Sequence, residues 1–125
     1  MPAKRVLSVG NCMADQWSIA RTLQDAFGAE VVAADTPAEA LDRMRREAFA
    51  LVLVNRVFDR DGSSGLDLIR QVQGDKDLRQ VPIMLVSNYA DAQAQAVQAG
   101  AEPGFGKSAL GRPQMLDRVR AFLGE

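Results

Sequence analysis

Four short runs of β-branched and aliphatic residues, Val6 to Val9, Val31 to Ala34, Leu51 to Val54 and Val81 to Val86, are spaced so that a helix fits between each and the next. Consecutive apolar residues in so short a run suit a strand covered on both faces, as in a parallel sheet. The stretches between them carry helical period. Ile19, Leu23 and Phe27 form one stripe, Leu41, Met44 and Ala48 a second, and Leu66, Ile69 and Val72 a third. Start signals agree: Asp15 is placed to cap the first helix, Thr36-Pro37 with Glu39 resembles a capping box, and Ser64 is placed to cap the third. Gly28, Gly74 and Gly100 follow helical runs and read as stops. An alanine-rich helix is expected from about Tyr89 to Ala99, then a short strand near Phe105 and a last helix facing Leu116, Val119 and Leu123 inward. Five β-α repeats with right-handed crossovers predict an α/β fold with a doubly wound parallel sheet in the order 2-1-3-4-5. In such a sheet ligands bind beyond the carboxyl ends of the strands, near the switch point.

The 125 residues, 47% of them hydrophobic, suffice for one core, so residues 1 to 125 are expected to form a single domain. Charge is nearly balanced, with 15 Lys and Arg against 16 Asp and Glu. No segment gathers one sign into a phosphate-binding stripe, so direct nucleic-acid binding is not expected. The apolar run from Phe49 to Val54 is too short to span a bilayer, and Met-Pro-Ala-Lys-Arg leads into the first strand without a signal-peptide pattern. These features predict a cytoplasmic protein without a membrane partner. With one cysteine, Cys12, and no histidine, an internal disulfide, a typical zinc site and a His-based triad are all excluded.

The strand ends read Val9-Gly10-Asn11, Val54-Asn55-Arg56, Val86-Ser87-Asn88 and Gly106-Lys107-Ser108. Together with the strand Val81-Pro82-Ile83-Met84-Leu85-Val86 and with Gly100-Ala101 leading to Lys107, this layout resembles, over essentially the whole chain, the receiver domains of bacterial two-component systems, which are flavodoxin-like (βα)5 proteins. The resemblance implies an acidic pair holding Mg²⁺ after strand one, an Asp phosphoacceptor after strand three, and a Ser or Thr and a Lys that contact the phosphoryl group. Ser87 and Lys107 match. Gly10 and Asn11 stand where the acidic pair belongs, and Asn55 stands at the acceptor position.

A hard cation such as Mg²⁺ takes oxygen ligands with carboxylate charge, which Gly10, Asn11 and Asn55 do not supply. Phosphoryl transfer needs that charge to stabilise its transition state, and a neutral amide cannot form an acyl phosphate. The expected form is therefore a degenerate, non-phosphorylatable pseudo-receiver, with no catalytic residues, no metal and no cofactor. Asp59 and Asp61 in the following loop, with Asp15, are the candidates for a displaced acidic site, although Asp61-Gly62 reads as a turn and Asp15 as a cap. Lys107 then reads as pairing with Asp15 or a carbonyl, Ser87 as bonding Asn55 or Asn11, and Cys12 as a packing residue. Two departures from the family pattern accompany these changes. The loop after Asn55 is longer and lacks proline, and Gly104 stands at the aromatic switch position, with Phe105 pointing into the core.

The function this implies is a constitutive protein-interaction module in bacterial signal transduction, binding another signalling protein or an attached output domain. Two alternatives stand beside it: a regulator phosphorylated through a rearranged acidic site, and a flavodoxin-like domain binding a small ligand, against which the single glycine of Val9-Gly10-Asn11-Cys12-Met13 speaks. The resemblance puts the partner surface on the fourth helix, fifth strand and last helix. There Gln95, Gln98, Glu102, Arg112 and Gln114 would surround a shallow gap at Gly104, with the first helix around Gln16 and Trp17 as the other choice.

Overall fold

The computed structural model describes residues 4 to 124. Its elements run β1 (Arg5–Val9), α1 (Met13–Phe27), β2 (Glu30–Ala34), α2 (Pro37–Arg46), β3 (Leu51–Asn55), α3 (Gly65–Gln73), β4 (Ile83–Val86), α4 (Ala90–Gln98), β5 (Glu102–Phe105), a 3-10 turn (Lys107–Ala109) and α5 (Pro113–Leu123). The strands pair in parallel in the order β2-β1-β3-β4-β5, as the sequence predicts.

Strand alternation explains why the central runs are apolar throughout. Leu7, Val9, Val52, Val54, Ile83 and Leu85 face one side, packing with Ala40 and Met44 of α2, Leu68, Ile69 and Val72 of α3, and Ala96 of α4. Val6, Leu51, Leu53, Met84 and Val86 face the other side, against Ile19 and Leu23 of α1 and Met115, Val119 and Leu123 of α5. The expectation of burial on both faces fails at the sheet's two edges. Glu30 and Ala33 of β2, and Glu102 and Pro103 of β5, are exposed because only one neighbouring strand flanks them.

Several boundaries shift. β4 begins at Ile83 rather than Val81, since Pro82 has no N–H to offer the ladder and Val81 N is turned to Leu78 O. Helix α2 ends at Arg46, which leaves Ala48 exposed and gives its place in the stripe to Ala40. Asp15 does not cap α1. The cap position is Cys12, and Asp15 lies in the first turn. The other two caps form as expected: Glu39 N donates to Thr36 Oγ1 at 3.2 Å, and Asp67 N donates to Ser64 Oγ at 3.3 Å. The Glu39 carboxylate reaches back to Asp35 N at 2.8 Å, one residue before the usual capping-box partner.

Candidate functional site

Beyond the carboxyl ends of β3, β4 and β5 lies a pocket of about 320 Å³ lined by Asn55, Arg56, Val57, Val86, Ser87, Asn88, Tyr89 and Lys107. The fold thus brings Asn55, Ser87 and Lys107 together, and Gly10 meets them through its carbonyl. Asn55 Nδ2 donates to Gly10 O at 3.0 Å and to Val57 O at 2.8 Å, while Asn55 Oδ1 accepts from Arg56 N at 3.1 Å. Two carbonyls on one end of the amide and an N–H on the other fix its orientation. Asn55 therefore fastens the loop after β3 to the end of β1.

Asn11 lies apart from this group. It is buried, its Nδ2 donates to Ser8 Oγ at 3.0 Å, and its Oδ1 has no partner among the described residues. It borders a different pocket with Met13, Gln16, Asp35, Asp59 and Arg60. Ser87 bonds neither asparagine. Its Oγ accepts from Tyr89 N at 3.1 Å, a short-range turn contact that competes successfully with longer-range partners.

Lys107 takes the partner expected of it, donating from Nζ to Asp15 Oδ2 at 2.7 Å. The Lys107 ammonium is the main cause that holds the Asp15 carboxyl below its ordinary pKa; burial opposes it and the Cys12 side chain adds to it. A depressed carboxylate pKa contributes stability above the unfolded-state value that disappears as pH falls through the folded value. Asp15→Asn is accordingly expected to lower stability by about 0.5–1 kcal/mol at neutral pH, since the pair is a third exposed. Urea titrations of both proteins should show that gap closing below about pH 4.

The acidic residues of the following loop do not converge into a substitute site. Asp61 Oδ1 accepts from Ser63 N at 2.9 Å within the turn, Asp15 is held by Lys107, and no group of three His, Cys, Asp or Glu residues is placed to hold a metal ion among the described residues. The residues that the resemblance places at the Mg²⁺ positions do not fit the ion either. Gly10 has no side chain, Asn11 is turned to Ser8, and Asn55 presents an N–H end to the carbonyls of Gly10 and Val57.

The long loop after β3 folds as a small hairpin. Phe58 N donates to Ser63 O at 2.8 Å, Gly65 N donates to Arg56 O at 2.8 Å, and Val57 bridges Ser64. This hairpin turns Phe58 inward until it is 1% exposed, against the main chain at Gly10. Gly10 has φ +83°, and a Cβ there would lie 2.4 Å from the Phe58 ring. A side chain at position 10 is thus shut out twice, by backbone conformation and by Phe58. The sequence does hold a cue: Phe58 is the one aromatic in a loop that, beside Val57, is otherwise polar or glycine.

Gly104 borders the expected shallow depression together with Gln95 and Gln98, but it has no room for a side chain of its own. Gly104 is buried, and a Cβ there would lie 2.1 Å from Leu85 O and 3.0 Å from Gln93 Oε1. The strands meet closely here because pairing shifts register between Met84–Glu102 and Val86–Phe105, a bulge in the β4–β5 ladder. Gln93 of α4 fills the break. Its Nε2 donates to Leu85 O at 2.8 Å and Ser87 O at 3.1 Å, with a longer contact to Phe105 O, and its Oε1 accepts from Gly104 N at 3.1 Å. Arg118 of α5 donates to Gly104 O from the other side. Gln93 escapes sequence reasoning because a glutamine in an alanine-rich helix looks like any solvent-facing residue. Around it Gln95, Gln98, Glu102, Arg112 and Gln114 are exposed, as expected.

No family model matches this chain. It is 24% identical over 106 residues to the polar-differentiation response regulator DivK of Brucella ovis, a match covering 84% of this chain and 85% of that protein. A CheY-like response regulator receiver domain protein from Methanospirillum hungatei superposes with a TM-score of 0.79 at 24% identity, covering 98% of this chain and 94% of that one. A sensor protein from Polaromonas sp. superposes with a TM-score of 0.82 at 19% identity, with 97% of each chain covered. With five parallel strands in the order 2-1-3-4-5 and five helices, this chain has the CheY-like, flavodoxin-type fold.

Proposed function

We propose that this chain is a single receiver-type domain of signal transduction that accepts no phosphoryl group and acts, without catalysis of its own, by binding another signalling protein or an attached output domain in the cytoplasm. The observation that carries the reading is the wiring of Asn55. The side chain at the phosphoacceptor position is a hydrogen-bond donor locked between Gly10 O and Val57 O, where a nucleophile would need free lone pairs. The loss of the acidic pair at Gly10 and Asn11 and the capture of Lys107 by Asp15 support it. The resemblance to DivK and to the receiver structures supports only its receiver-type part.

The face of α4, β5 and α5 is the surface we assign to the partner. Gln95, Gln98 and Gly104 border a groove of about 570 Å³ that Val97, 44% exposed, helps to line. With Gln93 and Arg118 holding β5 from two helices, this face has no switch aromatic to move and presents one conformation.

Incubation with acetyl phosphate and Mg²⁺ is expected to leave the intact mass unchanged. The melting temperature in Mg²⁺ should equal that in a monovalent salt of matched ionic strength, because a ligand that does not bind the native state does not stabilise it. Gain of one phosphoryl mass, or a saturable Mg²⁺-specific rise in melting temperature, would refute the reading in favour of a rearranged acidic site at Asp15, Asp59 and Asp61.

A further inference from the structure

A groove of about 530 Å³ opens between the hairpin after β3 and helix α4. Val57, Leu66, Leu85 and the Tyr89 ring give it an apolar wall, and Val57 and Tyr89 remain 44% and 59% exposed. The main chain at both is fixed: Tyr89 N donates to Ser87 Oγ at 3.1 Å, and Val57 bridges Ser64. An apolar surface held open by fixed backbone is a preformed site. Two opposite charges share the groove without meeting. Arg56 and Asp91 both border it, and neither takes part in an ion pair among the described residues. The Arg56 guanidinium lies 4.9 Å from the centre of the Tyr89 ring, a contact that steadies the fork and leaves its N–H groups free to donate. Asp91 Oδ1 accepts from Ala92 N at 3.0 Å, which fixes one oxygen of the carboxylate and leaves Oδ2 open.

We infer that this groove binds a guanine base, packed on Tyr89 and Val57 and read along its edge by Arg56 and Asp91. One cation, one anion and an aromatic wall suit a neutral planar ligand that carries acceptors and donors side by side. Guanine has that pattern. Its O6 and N7 present two acceptors to a guanidinium fork, and the neighbouring N1–H and N2–H groups present donors to a carboxylate. Each carboxylate oxygen has two lone pairs, so Asp91 Oδ1 still has one to offer beside Oδ2. Adenine has an amino group in place of O6, which would set N–H against the N–H groups of Arg56. Gln95, one helical turn after Asp91 on the same groove, adds an amide that both donates and accepts.

The test is an amide NMR titration of the isotope-labelled protein with guanosine and, separately, adenosine. Saturable guanosine shifts at the amides of Val57, Leu66, Ala92 and Gln95, with binding at least about ten-fold weaker in Tyr89→Ala and in Asp91→Asn, support the site. Binding should be unchanged in Trp17→Ala, which removes an exposed aromatic on α1 instead. Adenosine is expected to bind at least about ten-fold more weakly than guanosine. The inference is overturned by the absence of a saturable guanosine shift, by shifts centred outside the groove, by equal binding in wild type and either groove variant, or by adenosine bound as tightly as guanosine. Tyr89 and Asp91 are exposed, so both variants are expected to melt close to wild type. Because the nucleosides carry no phosphoryl group, neither result bears on whether the domain can be phosphorylated.

Discussion

Gly104→Ala is expected to destabilise the protein by about 3 kcal/mol or more, a heavy cost for one methyl group. The added carbon would sit 2.1 Å from Leu85 O, which is main chain in the centre of a paired strand and has no rotamer through which to retreat. Relief requires β5 to draw away from β4, which breaks the Gly104 N to Gln93 Oε1 bond and disturbs the Arg118 contact to Gly104 O. Urea denaturation checks this directly. A loss below about 0.5 kcal/mol, the range of ordinary surface changes, would mean the bulge yields easily. Gln93→Ala should cost about 2 kcal/mol by leaving acceptors at Leu85 O and Ser87 O unsatisfied. The double variant should cost less than the sum, since both changes break the same contact.

Asn55→Asp is expected to cost about 3 kcal/mol and to restore no chemistry. The substitution removes two hydrogen bonds and sets a carboxylate oxygen against the carbonyls of Gly10 and Val57. Adding Gly10→Asp and Asn11→Asp, the obvious way to rebuild an acidic site, should make matters worse. The side chain at position 10 would require φ +83° and would meet the Phe58 ring, and three neighbouring carboxylates repel one another. Removing Phe58 to make room would empty a fully buried aromatic position, a further loss of about 3–5 kcal/mol. We expect the triple variant to melt below wild type with or without Mg²⁺ and to take no phosphoryl group from acetyl phosphate, as followed by thermal denaturation and intact mass. Wild-type stability in the triple variant, or its recovery by Mg²⁺, would contradict the role given to Phe58.

The sheet order and the two-sided core were legible because the continuous apolar runs of β1, β3 and β4 and the stripes in α1, α2, α3 and α5 are local patterns that the packed structure only has to respect. That Gly10, Asn11 and Asn55 carry no carboxylate is plain from the residues themselves, while their correspondence to an acidic site comes from the resemblance. What stands in place of such a site was not legible, because it depends on contacts between distant residues. Phe58 reaches Gly10 only through a hairpin that no turn signal fully specifies, and Gln93 reaches Gly104 only across the register shift. At Gly104 the depression was legible but the reason for the glycine was not. A glycine inside a strand pattern signals a bulge or a close main-chain approach as readily as an open space, and here the former holds.

The bracing of β5 also bears on self-association. An outer strand with free N–H and C=O groups invites another strand to add to it. On β5, Pro103 has no N–H to give, Gly104 N is taken by Gln93, and Gly104 O is taken by Arg118. That margin of the sheet is closed to strand addition by the protein's own side chains. β2, at the opposite margin, is regular over all five residues, so any edge-to-edge aggregation of this protein starts at Glu30–Ala34.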